Sequence, residues 1–153
     1  MSNFPKLFIP GPTYVPDDVM QSLATKQIGH RTPEFSTLMS SIVKGIQELL
    51  YTKNKVFLAS HSATGLWEMA IVNSVKDSVL HTVNGSFSSK WATVSKKCGY
   101  ELKVLEYDWG LGVKVEDVDR LLSNGRIDVF AMVHNETSTG VMSPLEPISD
   151  LLK

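Results

Sequence analysis

"LASHSATGLWEM", residues 58–69, is the stretch whose reading decides the fold. The apolar run "KVFLA" at 55–59 ends in small polar residues, and a helical pattern starts at once at 63. A strand that hands over to a helix through Ser60, Ser62, Ala63, Thr64 and Gly65 leaves the first backbone N–H groups of that helix uncovered. Those groups have no partner inside the helix and carry the positive end of its dipole. Two readings follow. The turn is a plain helix cap, for which Ser and Thr are the usual residues. Or it holds an anion, most often a phosphate.

Downstream, the alternation repeats. Residues 78–83 (SVLHTV), 101–107 (ELKVLEY) and 127–133 (IDVFAMV) read as strands. Residues 63–75, 86–98, 115–124 and 146–152 read as helices, with Asp77, Gly99 and Gly125 at helix ends. Strand and helix in strict turn predict a mostly parallel sheet covered on both faces, a three-layer α/β/α arrangement. Ligands in such sheets sit outside the carboxyl ends of the strands. The segments to search are therefore 60–65, 84–89, 108–112 and 134–140.

Upstream, Pro5, Pro10 and Pro12 forbid regular helix, so residues 1–15 read as an extended arm and 16–153 as the domain. Pro16 opens a short helix predicted to turn Val19, Met20 and Leu23 inward. "IGHRT" at 28–32 is a polar turn. Thr32 then caps a helix with Pro33 at its first position and a stripe of Phe35, Leu38, Met39, Ile42, Ile46 and Leu49.

The 153 residues suit one domain or a piece of a larger one. A net charge of −1 and a pI near 6.4 favour neither nucleic acid nor an anionic membrane. No apolar run is long enough to span a bilayer or to serve as a signal core. The single cysteine, Cys98, excludes an internal disulfide and suits a cytoplasmic setting. His30, His61, His81 and His134 lack the paired spacing of metal ligands, so no metal is expected. Neither a P-loop nor a G-x-G-x-x-G fingerprint occurs.

The other strand ends offer specific side chains. In "NGSFSSKW", Phe87 either packs on the core or presents a ring to a flat ligand. Trp91 one turn later reads as core, and Lys90 as a surface lysine. "DWGLG" is a turn with Trp109 outward and no assigned chemistry. "HNETSTGV", residues 134–141, sets six polar side chains directly after an apolar strand, as a solvated loop or as a ligand's donors and acceptors.

Taken together, "FIPGPTYVPDDVM", "IGHRTPEF", "HSATGLWEMAIVN", "NGSFSSKW" and "HNETSTGVMSPL" resemble the class V family of pyridoxal-phosphate aminotransferases, most of all its alanine/serine–glyoxylate branch. The pieces come in the family's order across nearly the whole chain. The resemblance implies a fold type I large domain, here incomplete, with pyridoxal 5′-phosphate at the strand ends. It implies that Ser62, Ala63 and Thr64 hold the cofactor phosphate, that Phe87 stacks on the pyridine ring, and that Thr137 touches the cofactor near its reacting edge. Gly11, His30 and Arg31 match positions that border the substrate. His61 and Ala63 stand where many relatives have glycine.

The chain stops at Lys153, whereas such relatives run on to an aspartate at the pyridine nitrogen, a Schiff-base lysine and a smaller domain. No catalytic residue can therefore be placed, and residues 1–153 alone are expected not to transaminate. The whole enzyme is expected to move an amino group from a small amino acid to a 2-oxo acid, as a homodimer or with a companion chain. The alternative is a non-catalytic domain of the same descent that binds the phosphate or serves assembly.

Overall fold

A computed structural model of the chain describes residues 5–153, so the first four residues of the predicted arm lie outside the described part. The chain divides between Leu58 and Ala59 into two units. In the first, residues 5–16 carry no regular structure and are followed by α1 (Asp17–Ser22) and α2 (Pro33–Leu49). Thr32 caps α2 as its residue type requires, its Oγ1 accepting from the Phe35 amide at 3.4 Å, with Pro33 at the first position. The inward face predicted for α1 is not found: Val19, Met20 and Leu23 are exposed, because little of the described chain packs on that helix.

The second unit holds α3 (Ala63–Ser74), β1 (Ser78–Val83), α4 (Ser86–Lys97), β2 (Glu101–Glu106), α5 (Val115–Ser123), β3 (Val129–Ala131), β4 (Asn135–Glu136), β5 (Val141–Met142) and α6 (Leu145–Leu151). The main sheet runs β2-β1-β3, and both pairings are parallel. Registers run from Ser78↔Glu101 to Val83↔Glu106 and from Val79↔Val129 to His81↔Ala131. β1 is the central strand and is buried for nearly its whole length.

Strand alternation sorts side chains to two faces. Val79, Leu102, Val129 and Ala131 pack with Ile71 and Val75 of the α3 segment and with Trp91 of α4. Leu105, Phe130 and Met132 pack with Val118 of α5 and Ile148 of α6. Helices therefore cover both faces of a parallel sheet, and the three-layer α/β/α reading is correct. At the amino edge, the exposed Asp128 carboxylate accepts from the amides of Lys76, Asp77 and Ser78 and so closes the turn from α3 into β1. The Asp77 and Ser78 amides hold its carboxyl below the usual carboxylate range. Among the described residues, no helix is long and apolar enough to cross a membrane.

Two predicted strands differ from what forms. Residues 55–59 carry no regular structure and pair with no described strand, and Phe57 is exposed. An apolar run becomes a strand only when a neighbour supplies the ladder. The strand predicted over 127–133 shrinks to Val129–Ala131, because the chain then leaves the sheet to form the β4–β5 hairpin.

Candidate functional site

The connectivity puts two helix starts at one edge of the sheet. Only three residues separate the end of α3 from β1, so α3 runs back along β1 and its first turn lies near the strand's carboxyl end. α4 begins two residues after β1, at the same end. A stack ties the two helices together in their second turns. The Trp67 and Trp91 rings lie 5.7 Å apart at an interplanar angle of 16°. The His81 imidazole meets Trp91 edge-on at 5.4 Å and shares a 2.8 Å hydrogen bond between Nε2 and Ser95 Oγ. His81 is buried in this apolar nest, which lowers its pKa from 6.5 to about 4 and keeps it neutral.

The start of α4 is closed by a carboxylate from elsewhere in the chain. α4 has no acidic residue in its own first turn. Glu136, 1% exposed, supplies the charge. Its Oε1 accepts from the Phe87 amide at 3.3 Å, the Ser138 amide at 3.2 Å and Ser138 Oγ at 2.6 Å. Its Oε2 accepts from the Ser88 amide and from Ser88 Oγ, both at 2.9 Å. The Ser86 amide donates to Ser138 Oγ at 2.9 Å. Burial pushes the Glu136 carboxyl up, but the bonds from Ser138, Ser88 and Phe87 outweigh it, and the net shift is downward. Gly85 makes room for this. A Cβ there would lie 2.4 Å from Glu136 Cγ and 2.7 Å from Ser138 Oγ. Beside it, buried Asn84 donates from Nδ2 to the Leu111 carbonyl at 2.9 Å and anchors the loop after β2.

The start of α3 is open. Ser62 is the N-cap residue, yet its side chain makes no cap hydrogen bond. The first turn of α3 carries no acidic residue, and no described residue accepts from the amides of Ala63 and Thr64. The His61 ring folds over Gly65, where a Cβ would meet His61 Nδ1 at only 2.0 Å. Of the two sequence readings, the self-capping turn is not what forms. Small residues and two hydroxyls surround amides that have no acceptor among the described residues, at the positive end of a helix dipole whose first turn carries no acid.

The residues singled out in the sequence fall into two groups. Ser62, Ala63, Thr64, Phe87 and Thr137 all belong to the second unit. Phe87 is on the first turn of α4, 42% exposed, so it is not a core residue. Thr137 is exposed in the turn between β4 and β5, one residue from the carboxylate that holds the Phe87 amide. The polar run 134–140 is thus a hairpin bound to α4 rather than a free loop, with the Thr139 and Gly140 amides both donating to the Glu136 carbonyl. Gly11, His30 and Arg31 are exposed residues of the first unit. Trp91 is partly buried on the core, Lys90 is exposed, and Trp109 is outward in its turn.

Sequence reasoning missed Glu136 and Gly85. One signal was available: a helix that starts at a glycine with no acid in its first turn must find its counter-charge elsewhere.

Comparison with known proteins identifies the family. The family described as Aminotransferase class-V matches residues 7–153. An uncharacterized aminotransferase of Methanocaldococcus jannaschii is 37% identical over 150 residues, covering 96% of this chain and 39% of its own. A serine–glyoxylate aminotransferase of Methylorubrum extorquens is 36% identical, covering 90% of this chain and 36% of its own. The crystal structure of an alanine–glyoxylate aminotransferase from Nostoc sp. superposes with a TM-score of 0.88 at 30% identity, covering 93% of this chain and 38% of that one. The chain therefore spans well under half the length of the relatives it matches.

Proposed function

The chain belongs to the class V aminotransferase family, and from that premise we propose that it forms the cofactor-anchoring part of a pyridoxal 5′-phosphate aminotransferase. The whole enzyme transfers an amino group from a small amino acid, of the alanine or serine kind, to a 2-oxo acid of the glyoxylate or pyruvate kind. The observation that carries the reading is the unequal state of two neighbouring helix starts: α4 is neutralised by Glu136, and α3 is left open.

The residues present fit the cofactor. A doubly charged phosphate suits the amides of Ala63 and Thr64 with the hydroxyls of Ser62 and Thr64. Small side chains there let the phosphate reach the backbone, and Ala63 serves as glycine would. The exposed Phe87 ring offers one face to a flat heterocycle. The Thr137 hydroxyl is on an exposed residue of the hairpin turn and can donate to a ring oxygen. When bound, pyridoxal phosphate supplies the electron sink, and the protein supplies anchoring and orientation. Gly11, His30 and Arg31 take no part in this proposal.

The test is a crystal structure of the full protein with pyridoxine 5′-phosphate. The expected result is the phosphate within hydrogen-bond reach of the Ala63 and Thr64 amides, with the ring against Phe87. A phosphate bound elsewhere overturns the reading. Turnover of alanine or serine with glyoxylate, followed by release of the 2-oxo product, then checks the reaction class.

A further inference from the structure

We infer that Glu136 is a positioning residue, which fixes the spacing between the Phe87 ring and the Thr137 hydroxyl without touching a ligand itself. The inference rests on the cofactor reading above and assigns the part of the site that orients the ring. Phe87 is clamped on both sides in sequence: Ser86 donates to Ser138 Oγ, while Phe87 and Ser88 donate to Glu136. Thr137 is clamped in the same way, lying between Glu136 and Ser138, whose amide and hydroxyl both donate to the Glu136 carboxylate. The two groups that would meet a flat ligand thus hang from one carboxylate, 1% exposed and out of a ligand's reach.

Only a carboxylate can do this. Oε1 faces three donors and Oε2 faces two, with none of the five able to accept in place of donating except the two hydroxyls. A glutamine of the same shape turns an NH₂ group toward at least one backbone amide, whichever way it is flipped. Glu136→Gln therefore loosens the link between α4 and the hairpin while leaving the start of α3 intact. The cradle for the phosphate and the clamp for the ring are separable.

The test measures binding of two probes to the full protein by calorimetry: pyridoxine 5′-phosphate, which has ring and phosphate but no aldehyde, and inorganic phosphate. For Glu136→Gln the expected result is an affinity for pyridoxine 5′-phosphate lower by about tenfold, with inorganic phosphate unchanged within about twofold. Amide hydrogen exchange should speed up at Phe87, Ser88 and Ser138 and not at Ala63 or Thr64. Should Glu136→Gln fail to fold, Ser138→Ala removes only the Oγ bridge and is expected to lower ring affinity by about threefold. Equal loss for both probes, or no loss for either, overturns the inference alone. A parent protein that binds neither probe overturns the cofactor reading, and this inference with it.

Discussion

α3 and α4 begin at the same edge of the sheet, and both start without an acidic side chain in their first turn. They end in opposite states. At α4, Gly85 lets the chain approach so closely that Glu136 seats on the amides of Phe87 and Ser88. At α3, the Ser62 hydroxyl makes no cap bond and the first amides face outward. A helix start normally gains about 1 kcal/mol from a cap, so leaving one uncapped has a cost in stability. The pair shows how a protein chooses between two similar anion sites. One start is filled by the protein's own carboxylate, and the other has no acceptor among the described residues.

The largest expected effect breaks the base both helices share. His81 supports Trp91, which stacks on Trp67, so the imidazole braces the contact between the two helices one turn in from their starts. Its native pKa of about 4 lies below the unfolded 6.5, so the unfolded chain binds more protons between those values. Stability is fully present above pH 6.5 and falls as pH drops toward 4, by on the order of 2–3 kcal/mol. Thermal unfolding from about pH 7.5 downward should show this loss. His81→Gln keeps a partner for Ser95 Oγ and should flatten the curve in that window. Glu136 acts lower. Its carboxyl is held below 4.5, so its contribution is present above that value and is lost as pH falls through the depressed native pKa. The acid limb that persists in His81→Gln should therefore shrink in Glu136→Gln, with Asp128, also held below its ordinary range, supplying part of what remains.

Gly85→Ala comes next, and it attacks only the closed terminus. The new Cβ would sit 2.4 Å from Glu136 Cγ and 2.5 Å from its Cδ. The side chain it meets is held by five hydrogen bonds and cannot simply swing away. We expect a loss of about 2 kcal/mol in denaturant unfolding. Gly65→Ala is the mirror experiment at the open terminus: there the new Cβ meets only the exposed His61 ring, which can rotate into solvent. Its cost should be smaller than that of Gly85→Ala, and the reverse order would break the comparison.

Most of the second unit could be read locally. β1 forms over Ser78–Val83 as the apolar pattern says, and α3, α4 and α5 each lie within a residue or so of their expected ends. Periodicity and caps act within a few neighbours, so a single sequence exposes them. What escaped was non-local. "KVFLA" has a strand's composition, but its pairing depends on a partner that composition does not report. "HNETSTG" has a loop's composition, but Glu136 is buried because Gly85, some fifty residues earlier, leaves space for it. The open turn at Ser62–Thr64 was legible as small and polar. Its lack of a self-cap was not, since Ser62 is a residue type that caps helices elsewhere.

Ser62→Asp sharpens the contrast by giving α3 what α4 already has. An aspartate at the N-cap can accept from the first-turn amides and place a negative charge on the dipole. Two opposite changes are expected together. Stability should rise by about 0.5–1 kcal/mol, and affinity for inorganic phosphate should fall by about tenfold or more. Calorimetry and thermal unfolding on one sample read both. A variant that is stabilised yet still binds phosphate would place the anion away from α3.

The smallest effect on ligand affinity concerns the stack between the two helices. Trp67→Leu keeps an apolar side chain on α3 but removes the 5.7 Å ring contact with Trp91. Offset stacks add about 0.5–1.5 kcal/mol beyond the area they bury, so a loss of about 1 kcal/mol is expected in unfolding experiments. Neither terminus is altered chemically: Ser62–Thr64 keep their amides and Glu136 keeps its five donors. Inorganic phosphate, which needs α3 alone, should bind as before. In the proposed site pyridoxine 5′-phosphate reaches from α3 to Phe87 on α4, and so should weaken by roughly a few-fold at most, as a small shift in helix spacing produces. Equal weakening of both probes would mean that Trp67 supports α3 itself rather than its distance from α4.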